Sequence, residues 1–305
     1  MTRGFRLPDR TYQPTIFERL AIDELDQQEI LAAWPSPEAD PEVWRSLELA
    51  YDTLVKDMGG FAPLDLTGAP TPSGAPAPAT DESTPLGRYF FVYVDLAALA
   101  DVRRFHAKRG IPDDVSWATL SDLGRNLARD RLLLGDGGLR TSGWLTLHFR
   151  GSIYQLGRLQ FNRMTVRAAH LADAFREGDP ALGIHIPESG SLTPEACDDA
   201  LARAHPFFAR HFPETPTRLG ICTSWLLDPQ LGDYLTPDSN IMRFQGRFTL
   251  VGDGHDGDAD VLRFVFHRIA PNIDDLPQRT TLERAIVTHL RAGKHWRNRT
   301  GWLQL

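Results

Sequence analysis

The residues from Glu188 to Thr193 combine a tight polar turn with the start of a helix, an arrangement that can bind an anion. The apolar alternation over 182–186 predicts a strand before the turn. Pro187 ends that strand, because a proline cannot donate to a ladder. Thr193 is a good helix N-cap and Pro194 suits the first helical position. Free backbone N–H groups and the positive end of the helix dipole at such a turn suit an anion, most often a phosphate.

The helix after this turn is predicted from its apolar spacing. Small and aromatic residues recur three and four positions apart between Ala196 and Phe208, and Pro213 ends the pattern. Strand–turn–helix units of this kind also occur in α/β proteins that bind nothing there. From these residues alone, anion binding and a purely structural role both remain open.

The composition excludes several classes of protein. The 305 residues are 42% hydrophobic and 24% charged with a net charge of -7, which is typical of a globular protein and disfavours general nucleic-acid binding. No apolar run approaches the roughly 20 residues of a membrane helix. The first twenty residues lack the apolar core of a signal peptide. We therefore expect a cytoplasmic protein with no nucleic-acid or membrane partner.

Neither disulfides nor a metal site is predicted. The two cysteines, Cys197 and Cys222, fall in apolar segments, and no CxxC, HExxH or carboxylate-rich metal loop occurs. An acidic loop over 252–260 has several aspartates, but their spacing does not match a helix–loop–helix calcium site.

Three regions are predicted along the chain. Residues 1–66 read as a helical N-terminal domain, with apolar faces at helical spacing between 15 and 60. Residues 67–84 read as a linker, since TGAPTPSGAPAPAT alternates proline with small residues. Residues 85–305 are expected to form a mixed sheet with helices on its faces.

The elements of this third region are predicted from periodicity. Helices are expected after Leu96, over 117–134, at 194–212, after Asp228 and Ser239, and over 280–290, before a basic tail. Strands are expected at 88–96, 145–149, 153–161, 182–186, 218–227, 247–251 and 261–269. Gly151 and Ser152 would form the turn of a hairpin.

This order of elements resembles the GNAT superfamily of acyl-CoA-dependent N-acyltransferases. More closely, the chain resembles an actinobacterial GNAT-like acyltransferase-domain family, in which a helical N-acyltransferase N-terminal domain precedes a GNAT-like C-terminal domain. The segments that carry the closer resemblance are GIPDDVSWATLSDLG (110–124), WLTLHFRGSIYQLGRLQF (144–161), GIHIPESGSLTPEAC (183–197), CTSWLLDPQLGDYLTPDSNIMRFQ (222–245) and LPQRTTLERA (276–285).

The resemblance implies an acyl-CoA site. In the superfamily, one strand pairs with the pantetheine arm of acyl-CoA and the following turn holds the pyrophosphate. By this resemblance, the predicted cofactor-binding residues are Ile184, Ile186, Ser189, Gly190, Ser191 and Thr193. The usual turn has a Gln or Arg followed by spaced glycines, whereas this turn has one glycine and two serines.

The resemblance also implies catalytic roles. The strand offers His185 as general base, and an imidazole pKa near 6.5 suits proton removal near neutral pH. Glu188 is the other candidate base. Ser224 and Tyr234 are candidates for the general acid that protonates the leaving thiolate. The alternative for His185 is a hydrogen-bonded structural histidine.

The predicted function is transfer of an acyl group, expected to be acetyl, from acyl-CoA to an amine on a small molecule or peptide. Arg158, Arg163, Arg243 and Arg247 are candidates to contact an acidic substrate or the CoA phosphates. One alternative is a degenerate GNAT-like domain that binds acyl-CoA or a small ligand as a sensor. Another is a hydrolase that uses Ser224 or Cys222, although no GxSxG elbow is present.

Overall fold

A computed structural model describes residues 4–10, 13–62, 64, 66, 81–167 and 175–305. The chain divides into two compact units, Met1–Tyr154 and Gln155–Leu305. The proline-rich segment 67–80 lies outside the described residues. No described helix is long and apolar enough to cross a membrane.

Among the described residues before Ile153, the regular elements of the first unit are all helices. Its helices are α1 Gln13–Arg19, α2 Glu24–Ala32, α3 Pro41–Lys56, α4 Pro85–Arg88, α5 Phe90–Arg109, α6 Asp113–Leu120, α7 Asp122–Leu134 and α8 Ser142–Phe149. The core is built around α5, in which every residue from Phe90 to Leu99 is buried. Tyr51 of α3 donates a hydrogen bond of 2.9 Å to Asp101 of α5 and so ties the two helices together.

The segment 88–96 was expected to be a strand, and this prediction is wrong. Its aromatic and β-branched residues belong to α5, which is buried on all sides along its first half. A fully buried helix and a fully buried strand show the same unbroken apolar run, so periodicity cannot separate them. Gly110 closes the helix as expected, in a left-handed conformation at φ 70°. Because α5 shares a core with α3, the first unit extends to Tyr154, well past the domain boundary predicted after residue 66.

The expected hairpin is shifted along the chain. Residues 145–149 lie in α8 rather than in a strand, because three alternating apolar residues also fit a short buried helix. The hairpin joins β1 (Ile153–Leu156) to β2 (Leu159–Thr165). Gly157 starts its two-residue turn at φ 67°, a conformation that glycine adopts without strain. The predicted helix at 117–134 is present as two helices, α6 and α7, which meet at Ser121.

The second unit contains a six-stranded mixed sheet, which confirms the predicted fold class. Its remaining strands are β3 Pro180–His185, β4 Leu219–Ser224, β5 Thr249–Asp256 and β6 Arg297–Gln304. The spatial order is β1-β2-β3-β4-β6-β5. Strands β3 and β4 are parallel, whereas β2 pairs with β3, and β6 with both β4 and β5, in antiparallel fashion.

The helices of this unit include the one predicted after the polar turn. They are α9 Pro194–His211, α10 Asn240–Gln245, α11 Asp258–Phe266 and α12 Thr281–Arg291. Thr280 and Glu283 form a capping box at the start of α12, as the Thr-Thr-Leu-Glu sequence indicates. Two short 3-10 helices, Trp225–Leu227 and Pro229–Asp233, follow directly after β4.

Three predictions near the end of the chain are wrong. Residues 261–269 were expected to be a strand but lie mostly in α11, where Asp258 and Asp260 occupy the first turn and favour a helix N-terminus. The acidic loop belongs largely to β5, which continues to Asp256 with an irregular register after Val251. The basic tail is β6, an interior strand. Its buried residues Asn298, Gly301 and Leu303 do not form a regular apolar alternation that would stand out among the arginines.

Candidate active site

The turn after β3 is held in place by side chains from neighbouring elements. Arg158 donates to the carbonyl oxygens of Ser191 at 3.1 Å and Pro187 at 2.9 Å. Asn240, at the start of α10, donates to Ser191 Oγ at 3.0 Å. Gly190 lies at φ 77°, and apart from its two chain neighbours no described residue has an atom within 4 Å of the place where a Cβ would be. The turn is therefore fixed at its base and exposed at its tip.

The first residues of α9 are capped as the sequence predicts. Thr193 Oγ1 accepts a hydrogen bond from the Ala196 N–H at 3.3 Å, and Pro194 occupies the first helical position. Arg247 donates to Asp198 of this helix and to the Pro194 carbonyl, so it secures the helix start from outside. The remaining N–H groups of the turn and the helix dipole make this end of α9 favourable for an anion.

Strands β3 and β4 separate near their carboxyl ends. Their parallel ladder covers only two residue pairs, Leu182 with Gly220 and Gly183 with Ile221. On its other side β3 remains paired with β2 up to His185. The backbone of β3 beyond Gly183 is therefore left outside the β3–β4 ladder. A gap of this kind can accept a ligand with amide groups as an added partner.

His185, at the end of β3, is oriented by a residue on β2. Its Nε2 lies 2.7 Å from Oδ1 of Asn162. The amide nitrogen of Asn162 donates to the Arg163 carbonyl at 3.0 Å, so Oδ1 must face the histidine as the acceptor. His185 Nε2 consequently carries the proton, and Nδ1 is the basic nitrogen of the ring.

Gly183 makes the contact between His185 and Asn162 possible. It lies opposite Asn162 in the β2–β3 register and two residues before His185, on the same face of the sheet. A Cβ at this position would overlap Asn162 Oδ1 and lie 3.1 Å from His185 Nε2. The glycine of the GIHIP sequence is therefore required by side-chain packing, since its φ is not in the left-handed region.

Tyr234 follows the second 3-10 helix after β4, close to the predicted position. Its hydroxyl lies 3.1 Å from Nδ1 of His289, on α12. The side chain is half-buried, whereas His289 is completely buried. The other candidate acid, Ser224, ends β4, and its Oγ accepts a hydrogen bond from the Leu226 N–H at 3.1 Å.

The other predicted site residues lie along β3 and the turn. Ile184 is 2% exposed and points into the core, while Ile186 is half-buried just after the strand. Glu188 is exposed at the beginning of the turn. Cys222 is 1% exposed, and burial raises the pKa of its thiol to about 12. A thiol with such a pKa is a poor nucleophile near neutral pH.

The four candidate arginines are dispersed. Arg158 and Arg247 hold the turn and the start of α9 as described above. Arg163 is 5% exposed and lies 4.3 Å over the ring of Phe212, in a cation–π contact. Arg243 is exposed on α10, one turn after Asn240. Among the described residues, no group of three or more His, Cys, Asp or Glu side chains could hold a metal ion.

Two residues of this arrangement could not be predicted from the sequence. Asn162 and His289 lie 23 and 55 positions from their partners along the chain. Only the strand register could have paired Asn162 with His185. His289 could have been noticed as a histidine on the apolar face of a helix that the sequence does predict.

Family models match both halves of the chain. An N-acyltransferase N-terminal domain matches residues 12–151, and a GNAT-like C-terminal domain matches residues 153–303. These ranges agree with the two compact units. No curated protein sequence matches the chain significantly.

Solved structures of acyltransferases are similar to the whole chain. One, in complex with decanoyl-CoA and teicoplanin, is 44% identical with a TM-score of 0.87, covering 99% of this chain and 92% of that one. A mutant acyltransferase in complex with octanoyl-CoA is 43% identical with a TM-score of 0.87, covering 100% and 91%. A third, in complex with decanoyl-CoA, is 42% identical with a TM-score of 0.89, covering 99% and 90%.

These matches confirm the prediction of an acyl-CoA-dependent acyltransferase with a GNAT-like fold. Identity above 40% over nearly the full length of both chains is far beyond a likeness of fold alone. The chain belongs to the family of acyltransferases in which an N-acyltransferase N-terminal domain precedes a GNAT-like C-terminal domain.

Proposed function

We propose that this acyltransferase moves a medium-length acyl group from acyl-CoA to an amine of a glycopeptide-type small molecule. The acyl length and the acceptor class come from the solved relatives, which were bound to octanoyl-CoA, decanoyl-CoA and teicoplanin. In this proposal a medium-length chain replaces the acetyl group expected from the sequence.

The observation that carries the proposal is the arrangement at the carboxyl end of β3. The strands separate after Gly183, an oriented histidine stands at the gap, and a capped polar turn leads from it into α9. Backbone groups of Ile184 and Ile186 are available to the amides of a pantetheine arm. The N–H groups of the turn over 189–193 would then meet the pyrophosphate, with the exposed Arg243 nearby on α10.

The proposed chemistry needs one base and one acid. Nδ1 of His185 takes a proton from the attacking amine, which forms the C–N bond to the thioester carbon. The tetrahedral adduct then loses the CoA sulfur, which takes a proton from Tyr234. Orientation of the two substrates supplies much of the remaining rate enhancement.

Tyr234 is preferred to Ser224 as the acid, and His185 to Glu188 as the base. The Ser224 hydroxyl is engaged with the backbone of the following 3-10 helix. Glu188 is exposed at the start of the turn, where water competes for every proton transfer. His185, by contrast, is held in one tautomer by a partner that is 8% exposed.

The hydrolase alternative finds no support in the geometry. Ser224 caps a turn, and the pKa of Cys222 is raised by complete burial. A binding module without catalysis remains the second candidate, because the turn lacks the usual spaced glycines. The enzyme and the binding module would both bind CoA, but only the enzyme would form an acylated product.

Thermal unfolding tests the cofactor part of the proposal. Decanoyl-CoA at 100 times its dissociation constant should stabilise the native protein by about 2.7 kcal/mol, a shift of several degrees in Tm. CoA itself should give a smaller shift, since it lacks the acyl chain. Adenosine and free decanoate serve as controls and should leave Tm unchanged. Equal Tm values with and without decanoyl-CoA would contradict an acyl-CoA site.

A further inference from the structure

The partner of Tyr234 is a buried histidine, His289. His289 Nδ1 lies 3.1 Å from the Tyr234 hydroxyl. The indole of Trp296 stacks on the imidazole at a centroid distance of 4.1 Å and an interplanar angle of 30°. Both His289 and Trp296 are 0% exposed. The imidazole is thus fixed in place, with one face covered and one nitrogen directed at the phenol.

This cluster lies at the same edge of the sheet as His185. Because β3 and β4 are parallel, their carboxyl ends share one edge, and Tyr234 follows β4 there by two short 3-10 helices. β6 runs antiparallel to β4 with Arg299 opposite Ser224, so its first residues also lie at this edge. Trp296 directly precedes β6, which brings His289 to the edge as well.

The surroundings of His289 select its tautomer. Nε2 is buried, and within the described part of the chain it has no hydrogen-bond partner. A proton on Nε2 would create a buried N–H donor without an acceptor, which native structures avoid more strictly than an unfilled lone pair. The proton therefore belongs on Nδ1, where it can be donated to the Tyr234 oxygen.

We propose that His289 is a positioning residue that donates its Nδ1 proton to Tyr234 and thereby directs the phenolic O–H towards the leaving sulfur. This inference rests on the proposed function, in which Tyr234 is the acid. When the C–S bond of the adduct breaks, its electron pair goes to sulfur, and sulfur takes the phenolic proton. The phenolate keeps its hydrogen bond from His289 until solvent reprotonates it. A phenol that accepts a hydrogen bond is also a better donor, because linked hydrogen bonds polarise one another.

The tautomer can be measured without any acyl acceptor. We expect the nitrogen NMR spectrum of the full chain, labelled with 15N-histidine, to show His289 protonated at Nδ1 and unprotonated at Nε2. The His289→Asn variant identifies the signal by its loss. A spectrum with the proton on Nε2 overturns the inference, whether or not the protein transfers acyl groups.

The role in catalysis is tested by kinetics on the same full chain. His289→Leu should lower kcat with decanoyl-CoA and a glycopeptide amine by about 10- to 100-fold, the value of a hydrogen bond to a charged group. KM for decanoyl-CoA should stay unchanged. His289→Asn keeps a donor near the position of Nδ1 and should recover most of the lost rate.

Two comparisons distinguish the positioning of Tyr234 by His289 from a general structural effect of losing His289. In the Tyr234→Phe background, His289→Leu should cause no further loss, because the interaction that it removes is already gone. A decanoyl thioester of thiophenol, whose leaving group needs no proton, should react almost equally with wild type and His289→Leu. Additive losses, or equal losses with both thioesters, overturn the inference. Absence of turnover in the wild type would instead contradict the proposed function, while the NMR result still decides the hydrogen bond.

Discussion

Replacement of His185 by alanine is expected to lower kcat for acyl transfer by about 10²- to 10⁴-fold, the usual contribution of a positioned general base. The imidazole is the group that takes the proton from the attacking amine, and Asn162 holds it with Nδ1 unprotonated. The affinity for acyl-CoA should be unaffected, since the phosphate turn and the strand backbone remain. Release of CoA measured against decanoyl-CoA concentration separates the two quantities.

The matched control for this variant is His255→Ala. His255 is an exposed histidine of β5 in the same unit, and its loss should leave kcat and KM unchanged. Thermal shifts with decanoyl-CoA should be alike for wild type and both variants. A His185→Ala protein that keeps more than half of the wild-type kcat would rule out the base role.

Gly183→Ala is expected to lower kcat by about 10²-fold although it adds one methyl group away from the reacting atoms. The new Cβ would overlap Asn162 Oδ1, so the Asn162 side chain must turn away and the 2.7 Å contact with His185 is lost. A displacement of a catalytic group by about 1 Å can cost this much in rate. The Asn162 side chain can move without the backbone, so we expect the protein to fold and to bind acyl-CoA.

Two comparisons make the glycine prediction specific. Gly143→Ala is the control, because outside the adjacent helix backbone no atom in the described part of the chain lies within 4 Å of the Cβ position. In the Asn162→Ala background, Gly183→Ala should have little further effect on kcat, since the contact that it disrupts is already absent. A Gly183→Ala enzyme with wild-type kcat would show that the orientation of His185 by Asn162 is not needed.

The part of the site that could be predicted from sequence lies in one continuous stretch. The stretch from Leu182 to His211 contains a strand, a proline, a polar turn, a helix cap and a helix, in that order. Each of these is indicated by residues that are close together in the sequence. Tyr234 was also predicted near its observed place, because it follows β4 by a fixed, short distance. Periodicity and capping rules describe interactions between residues close in sequence. The predicted strand, helix cap and helix are therefore confirmed.

The wrong predictions of secondary structure fall in long apolar runs and in a strand whose apolar and polar residues alternate only weakly. The helix α5 is buried on all sides along its first half, and α11 contains the same aromatic and β-branched residues as a strand. In both, tertiary burial overrides the local preference of the side chains. Strand β6 was overlooked for the opposite reason, since its arginines mask the short apolar alternation.

The supporting residues of the site depend on pairing between distant segments. Asn162 reaches His185 only through the β2–β3 register, and His289 on α12 meets Tyr234 only in the folded chain, 55 positions away. Neither contact leaves a periodic trace in the sequence. The residues proposed to react were candidates from the sequence, and they remain proposals, whereas the residues that orient them could not be named from it.

The proposed function is the joining of an acyl group from acyl-CoA to an amine of a glycopeptide. The most direct measurement incubates the full chain with decanoyl-CoA and deacylated teicoplanin and identifies the products by mass spectrometry. We predict one equivalent of free CoA for each glycopeptide that gains a decanoyl group in amide linkage. Free CoA together with decanoic acid and unchanged glycopeptide would contradict this function, as would unchanged decanoyl-CoA in the presence of a protein that binds it.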